Sequence, residues 1–296
     1  MLRRTLLISI ALAGSLAASV TAFAQSAIVV GGKAFTEQIL MTEMTIQLLE
    51  AKGFKISRKA GMGNAILRAA QENGEVDLYW EYTGTSLVTH NKIADKLNAT
   101  DTYRRVKELD AAKGLVWLNA SPLNNTFALA MRKDDATKRG IATMSDLGKA
   151  VRTDSSLTFA SNAEFPTRPD GLRPMQQTYG FEFARENVKR MDAGLTYQAL
   201  RDKQVDVALV YSTDGRIAAF NFTVLADDKG FFPSYALAPV IRKQVLDRNP
   251  GVAEPLNALA AKLNDTVMQR LNASIDVDKK TVEEVATAFL KANGLL

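Results

Sequence analysis

Two stretches far apart in the chain repeat one arrangement of apolar and polar positions. "VDLYWEYTGT" at Val76 to Thr85 and "VDVALVYSTDG" at Val205 to Gly215 each run Val-Asp, four further residues, then a tyrosine and a Ser or Thr. An apolar run of this length, rich in β-branched or aromatic residues, predicts a buried strand. Each strand is preceded at a nearly equal interval by a helical pattern, "GNAILRAAQENGE" in one case and "GLTYQALRDKQ" in the other. Matched helix–strand units predict two lobes built on similar plans.

The rest of the pattern fits that division. "AIVVGGKAFTEQ" predicts a strand over Ile28 to Val30, a Gly-Gly turn, and a helix opening near Thr36 with apolar residues at Ile39, Leu40, Met44 and Leu48. "NTFALAMRKDD" reads as a strand running into an exposed stretch, "TMSDLGKAV" as a capped helix and "LTFAS" as another strand, so the chain crosses to the second lobe there. It returns near "FFPSYALAPVIR" and ends in long helices, "PLNALAAKLNDTVMQRLNAS" and one opened by a capping box at Thr281 to Glu284. The expected fold is α/β, with residues 25–130 and 236–296 forming a discontinuous first lobe and residues 131–235 a second. Two crossings between such lobes make a hinge with a cleft.

Residues 1–24 stand apart. Arg3 and Arg4 precede an apolar run from Leu6 to Val20, and "AFA" at Ala22 to Ala24 supplies the small residues of a cleavage site, which predicts a signal peptide and a periplasmic mature protein. The run is shorter than the roughly 20 residues that span a bilayer. With no cysteine, disulfides, thiolate nucleophiles and Cys-based metal sites are excluded; with only His90, so is a histidine metal cluster, and His90 is expected at the surface or in a loop. Removing Arg3 and Arg4 from the 37 basic residues leaves 35 against 32 acidic ones, a net of +3, scattered rather than striped. Nucleic-acid binding therefore finds no support.

Ligands of open α/β sheets sit beyond the carboxyl ends of the strands, which is where Tyr82 and Tyr211 fall, one per lobe. "PSYALAP" adds Tyr235 on the return crossing and "NNTFALA" adds Phe127 on the outgoing one. Four aromatic rings at a cleft predict a box for a quaternary ammonium ion, each contact contributing about 0.5 to 2 kcal/mol. Tyr79, Trp80 and Trp117 are assigned to the core. Asp170 in "RPDG" and Asp214 in "DGRI" are read as helix caps or partners of nearby arginines.

In order along the chain, "GGKAFTEQ", "EYTGT", "NNTFALA", "EFPTRPDG", "YSTDGRI" and "DDKGFFPSYALAPVIR" resemble the motifs of the glycine betaine/carnitine/choline-binding proteins of osmoprotectant ABC transporters. The resemblance covers nearly the whole chain after residue 24. It implies a type II periplasmic binding protein fold and a cage of Tyr82, Phe127, Tyr211 and Tyr235, with Asn125 beside it. Phe127 departs from the family, many members of which carry tyrosine there. The resemblance further implies that a betaine carboxylate is held by Lys33, Thr85 and Arg168, with Gln38 as an extra donor; an arginine suits this role because its fork binds a carboxylate through two bonds. The expected function is capture of glycine betaine or a related betaine, with choline and carnitine as further candidates, by a monomer that delivers it to a membrane permease. No cofactor, metal or catalysis is expected, since no nucleophile and base pair is identifiable. Two alternatives are a carrier for another small amino acid or anion, and an enzyme on the same fold.

Overall fold

In a computed structural model of the chain, residues 27–296 are described, and the expected export signal lies outside them. The chain begins with β1 (Ile28–Lys33), α1 (Thr36–Ala51), β2 (Ile56–Met62), α2 (Asn64–Glu72), β3 (Leu78–Tyr82), α3 (Ala99–Ala111) and β4 (Leu115–Trp117). It then builds β5 (Phe127–Arg132), α4 (Lys133–Arg139), α5 (Met144–Thr153), β6 (Phe159–Ser161), α6 (Leu172–Tyr179), β7 (Val188–Arg190), α7 (Ala193–Arg201), β8 (Val207–Tyr211), α8 (Arg216–Ala219) and β9 (Phe222–Val224). It closes with β10 (Leu237–Arg242), α9 (Lys243–Arg248), α10 (Ala253–Ala260), α11 (Asp265–Asp276) and α12 (Val282–Ala292).

Two five-stranded sheets result, ordered β2-β1-β3-β10-β4 and β7-β6-β8-β5-β9. Each has three parallel strands followed by an antiparallel one that enters beside the Val-Asp strand: β10 against β3, and β5 against β8. The lobes therefore follow one plan. β5 pairs with β8 from Phe127 onward, so the chain enters the second sheet a few residues before the boundary expected after residue 130. The two crossings are themselves bonded: Asn124 bridges Ala236, and Tyr235 N–H donates to Asn124 Oδ1 at 2.7 Å.

Two local expectations are corrected. Gly31 and Gly32 form no turn; they lie within β1, because α1 and α2 pack close upon it. A Cβ on Gly32 would meet Thr42 Oγ1 at 2.1 Å, and one on Gly31 would meet Leu67 and Val76 below 3.0 Å. The "PLNALAAKLNDTVMQRLNAS" helix is two, α10 and α11, with Asn264 capping the second by accepting from Val267 N–H. Tyr79, Trp80 and Trp117 are core residues, at most 2% exposed. His90 is not at the surface: its side chain is buried against Glu81, Nε2 lying 3.2 Å from Oε2.

Candidate functional site

Tyr82 and Tyr211 end β3 and β8, the equivalent strands of the two sheets, and come to opposite sides of one small cavity of about 50 Å³ between the lobes. Phe127, Tyr235, Lys33, Thr85, Arg168 and Asn125 line the same cavity. Eight of the nine residues singled out from sequence are thus brought together. Gln38 is not. It is buried under β3 and donates to the Trp80 carbonyl at 3.0 Å. A helical residue points roughly 100° from its neighbour, so α1 turns Gln38 to the sheet and Glu37 to the cleft.

Phe35 is the aromatic residue that sequence reasoning missed. Its half-buried ring stacks on Tyr211 (5.3 Å, 11°) and on Tyr82 (6.3 Å, 24°). The signal was present, since Phe35 lies two positions after Lys33 inside "GGKAF". Phe127 is the hub of the cluster, within 6.0 Å of Phe165, Tyr211, Phe232 and Tyr235, the last edge-on at 83°.

The phenol groups are satisfied away from the rings' faces. Tyr82 donates to Glu37 (2.6 Å), Tyr235 donates to Asp170 (2.6 Å), and Tyr211 accepts from Asn162 (2.9 Å). Burial pushes the Tyr211 hydroxyl up to about 12 and raises the other two well above the usual tyrosine range, so all three stay neutral.

Lys33 and Arg168 are not two free charges. Lys33 Nζ lies 2.5 Å from Glu81, and Arg168 forks onto Asp170 at 2.7 and 2.6 Å, as the arginine-partner reading of Asp170 expected. Asp214 likewise pairs with Arg216. Burial alone would raise the Glu81 carboxyl, but Lys33 and His90 outweigh it and hold the group well below the usual carboxylate range. Both cations also lie over cluster rings, Lys33 at 5.1 Å from the Tyr82 centroid and Arg168 at 5.0 Å from that of Phe127. Arg168 Nη1, the Thr85 hydroxyl and the remaining Lys33 protons make no hydrogen bond among the described residues, so donors are left for an anion.

Glu37 stands behind the cage. Oε1 accepts from Tyr82 (2.6 Å) and Asn125 (2.9 Å), while Oε2 accepts from Thr213 (2.6 Å) and Asn272 (3.3 Å). Beside it a second cavity of about 210 Å³ shares Phe35, Asn125 and Tyr211 with the first. Among the described residues no cluster of His, Cys, Asp or Glu is arranged to hold a metal ion.

Two α/β lobes, joined by two crossings and meeting at an aromatic-lined cavity, define the fold of solute-binding proteins. Residues 26–292 match the family "Substrate binding domain of ABC-type glycine betaine transport system", and the chain belongs to that family. It is 44% identical over 273 residues to the glycine-betaine-binding protein of Pseudomonas aeruginosa, covering 90% of this chain and 88% of that one. It is 35% identical to the glycine betaine-binding protein YehZ of Escherichia coli, over 95% and 97% of the two chains. A crystal structure described as a glycine betaine/carnitine/choline ABC transporter superposes with a TM-score of 0.72 at 30% identity, over 90% of this chain and 99% of that one.

Proposed function

We propose that this protein binds a quaternary-ammonium osmolyte, a betaine above all, in the cavity between its lobes. It hands the solute unchanged to the permease of an ABC importer. The observation that carries this reading is the convergence of Tyr82, Phe127, Tyr211 and Tyr235 on one cavity that also holds Lys33, Thr85 and Arg168. Ring faces attract a cation without offering hydrogen-bond acceptors, which suits a trimethylammonium group better than a primary amine. The uncommitted donors of Lys33, Thr85 and Arg168 suit the carboxylate. Asn125 borders the cage and keeps Glu37 in place. The relatives' stated ligand, glycine betaine, supports the same choice. The protein acts as a monomer outside the inner membrane after loss of residues 1–24, and among the described residues no helix is long and apolar enough to cross a membrane.

Isothermal titration with glycine betaine, carnitine, choline and a primary-amine amino acid tests the reading. Glycine betaine is expected to bind and be recovered intact, and Tyr211→Ala or Tyr235→Ala to weaken it by more than about tenfold, or about 1.4 kcal/mol. Tyr103→Phe, remote from the cavity, serves as the control with unchanged affinity. Tighter binding of the primary amine, or consumption of the solute, would remove this reading.

A further inference from the structure

The charges around the cavity do not balance. Lys33 is matched by Glu81 and Arg168 by Asp170, each pair buried and within 2.7 Å. Across the neighbouring cavity Arg216 is shared by two carboxylates, Asp214 and Asp276, so both acids there have a cationic partner although one negative charge is in excess. Glu164, at the mouth, is exposed to water. Glu37 is different: it is 2% exposed and forms no ion pair among the described residues. A buried charge without a counter-charge is costly, and hydrogen bonds offset only part of that cost.

The surroundings show how the carboxylate is kept. Its four partners are two hydroxyls and two amides, drawn from α1's own lobe (Tyr82), a crossing (Asn125), the turn after β8 in the second lobe (Thr213) and α11 (Asn272). Both amides turn N–H groups to Glu37, Asn272 also donating to the Thr213 carbonyl at 3.0 Å, and among the described residues Asn125 Oδ1 and Asn272 Oδ1 are left buried with no partner. Orphaned buried acceptors are uncommon and call for a reason. Here the reason is an acceptor that needs donors only, which an ionised carboxylate does and a neutral carboxyl does not. Burial raises the Glu37 carboxyl above its usual range, and the hydroxyl and amide donors pull it back.

We propose that the Glu37 carboxylate is the counter-charge for the ligand's cation, acting through the rings of the cage, and so is a specificity-determining and positioning residue of the site. It does not touch the ligand. It makes the ligand pocket a site of net negative charge, so that a quaternary ammonium completes the balance when it enters. It also fixes Tyr82 from one lobe and Thr213, two residues beyond Tyr211, from the other. The cage closes around the cation only when both are bonded to the same carboxylate.

This inference rests on the betaine reading, and its test separates the two. Affinities for glycine betaine and for 3,3-dimethylbutanoate, the same shape with carbon in place of the charged nitrogen, are measured by titration and competition in wild type, Glu37→Gln and Glu37→Asp. Thermal unfolding and circular dichroism of each variant monitor the fold. Glu37→Gln keeps the size of the side chain and removes the charge. The preference for betaine over its neutral-headed isostere is expected to fall at least about tenfold, equivalent to about 1.4 kcal/mol. Glu37→Asp, which keeps the charge, is expected to retain more of that preference than Glu37→Gln. Equal weakening of both ligands by Glu37→Gln would make Glu37 a purely structural bridge and overturn the proposal, as would an unchanged betaine affinity. Wild-type protein that binds no quaternary-ammonium compound would overturn the functional reading along with it.

Discussion

Phe35 and Phe127 belong to one aromatic cluster but differ in what surrounds them. Phe127 is 8% exposed and packs on four other rings, with Arg168 over its face. Phe35 is half-buried at the edge of the core, its ring stacked on Tyr82 and Tyr211. Phe127→Ala should therefore lower stability by about 3 to 5 kcal/mol, as large-to-small changes in packed interiors do. Phe35→Ala should leave the melting temperature nearly unchanged and weaken betaine binding by about 0.5 to 2 kcal/mol, one ring contact. Calorimetric unfolding and titration of both variants check the contrast. The charged residues set a second expectation. Because Lys33 and Arg168 are each neutralised, a betaine carboxylate in the proposed site would gain hydrogen bonds at that end rather than relief of two bare charges. On that reading, discrimination against choline should come from the donors Thr85 and Arg168 Nη1. Acid should act on binding before it acts on folding. Glu37, faced by Tyr82, Asn125, Thr213 and Asn272, with Asp214, Asp276 and Arg216 across the cavity and Lys33 over the Tyr82 ring, is raised in the fold. It takes up its proton more readily folded than unfolded, so its protonation does not destabilise the protein. Glu81 is lowered, so the stability it contributes is complete above the usual glutamate range and lost only as pH falls through its lowered folded-state value. Lowering pH from neutrality towards the usual glutamate range should weaken betaine in wild type but not in Glu37→Gln. Titrations across that window read the difference.

At the scale of elements, the repeated Val-Asp has a physical account. Asp77 accepts from the backbone of Val29 on β1, and Asp206 accepts from that of Thr158 just before β6, each reaching a partner 48 residues upstream at 2.9 Å. Each also meets an arginine from the antiparallel strand of its sheet, Arg242 for Asp77 and Arg132 for Asp206. The device ties the start of the Val-Asp strand to its two neighbours, which fixes where Tyr82 and Tyr211 emerge at the other end. Asp77→Ala or Asp206→Ala should cost about 1 to 3 kcal/mol of stability, the penalty for unpaired buried partners. Denaturant titration measures it, and betaine affinity of the folded fraction should be unchanged. This much was legible, because strand, helix and aspartate recur in local pattern. The close approach that needs glycine was not. Gly84 in "EYTGT" has ordinary helical angles, yet a Cβ there would meet the Tyr235 ring at 2.8 Å and Ser234 O at 2.7 Å. The contact joins positions far apart in sequence, and nothing in the local pattern encodes it. The same holds for Glu81, which pairs with Lys33, and for the Glu37 carboxylate behind Tyr82. A pattern of spacing identifies which residues reach a cleft and, for Arg168, the partner Asp170 two residues on, whereas the partner of Lys33 arrives from elsewhere in the chain.

For the whole molecule, the lobes meet at several points, among them bonds from α11 to the second lobe: Gln269 to Ser212, Asn272 to Thr213 and Asp276 to Arg216. Across the mouth, Glu164 of the second lobe accepts at 3.0 Å from the backbone N–H of Asn64, the first residue of α2 in the first lobe. Deeper in, Thr213 reaches Glu37. A carboxylate at a helix N-terminus meets unsatisfied N–H groups and the positive end of the helix dipole, each such contact contributing about 0.3 to 1 kcal/mol. Glu164 can supply this to α2 only when the cleft is shut, so the contact counts towards closure and not towards the stability of either lobe. The crossings at Asn124 and Tyr235 are hydrogen-bonded to one another, and among the described residues they are the backbone connections between the two sheets. On the proposed reading, glycine betaine would touch rings from both lobes and favour the closed state by its differential contacts with it. Small-angle scattering should then show the radius of gyration fall on adding saturating betaine. Glu164→Gln keeps the size of the side chain but gives up the charge at the α2 N-terminus. It should leave thermal stability without ligand unchanged, weaken betaine by a few fold through faster release, and require more betaine for the same compaction. Compaction in wild type at the same betaine concentration as in Glu164→Gln would show that this contact does not contribute to closure. A radius of gyration indifferent to bound betaine would show that the site is filled without the lobes moving at all.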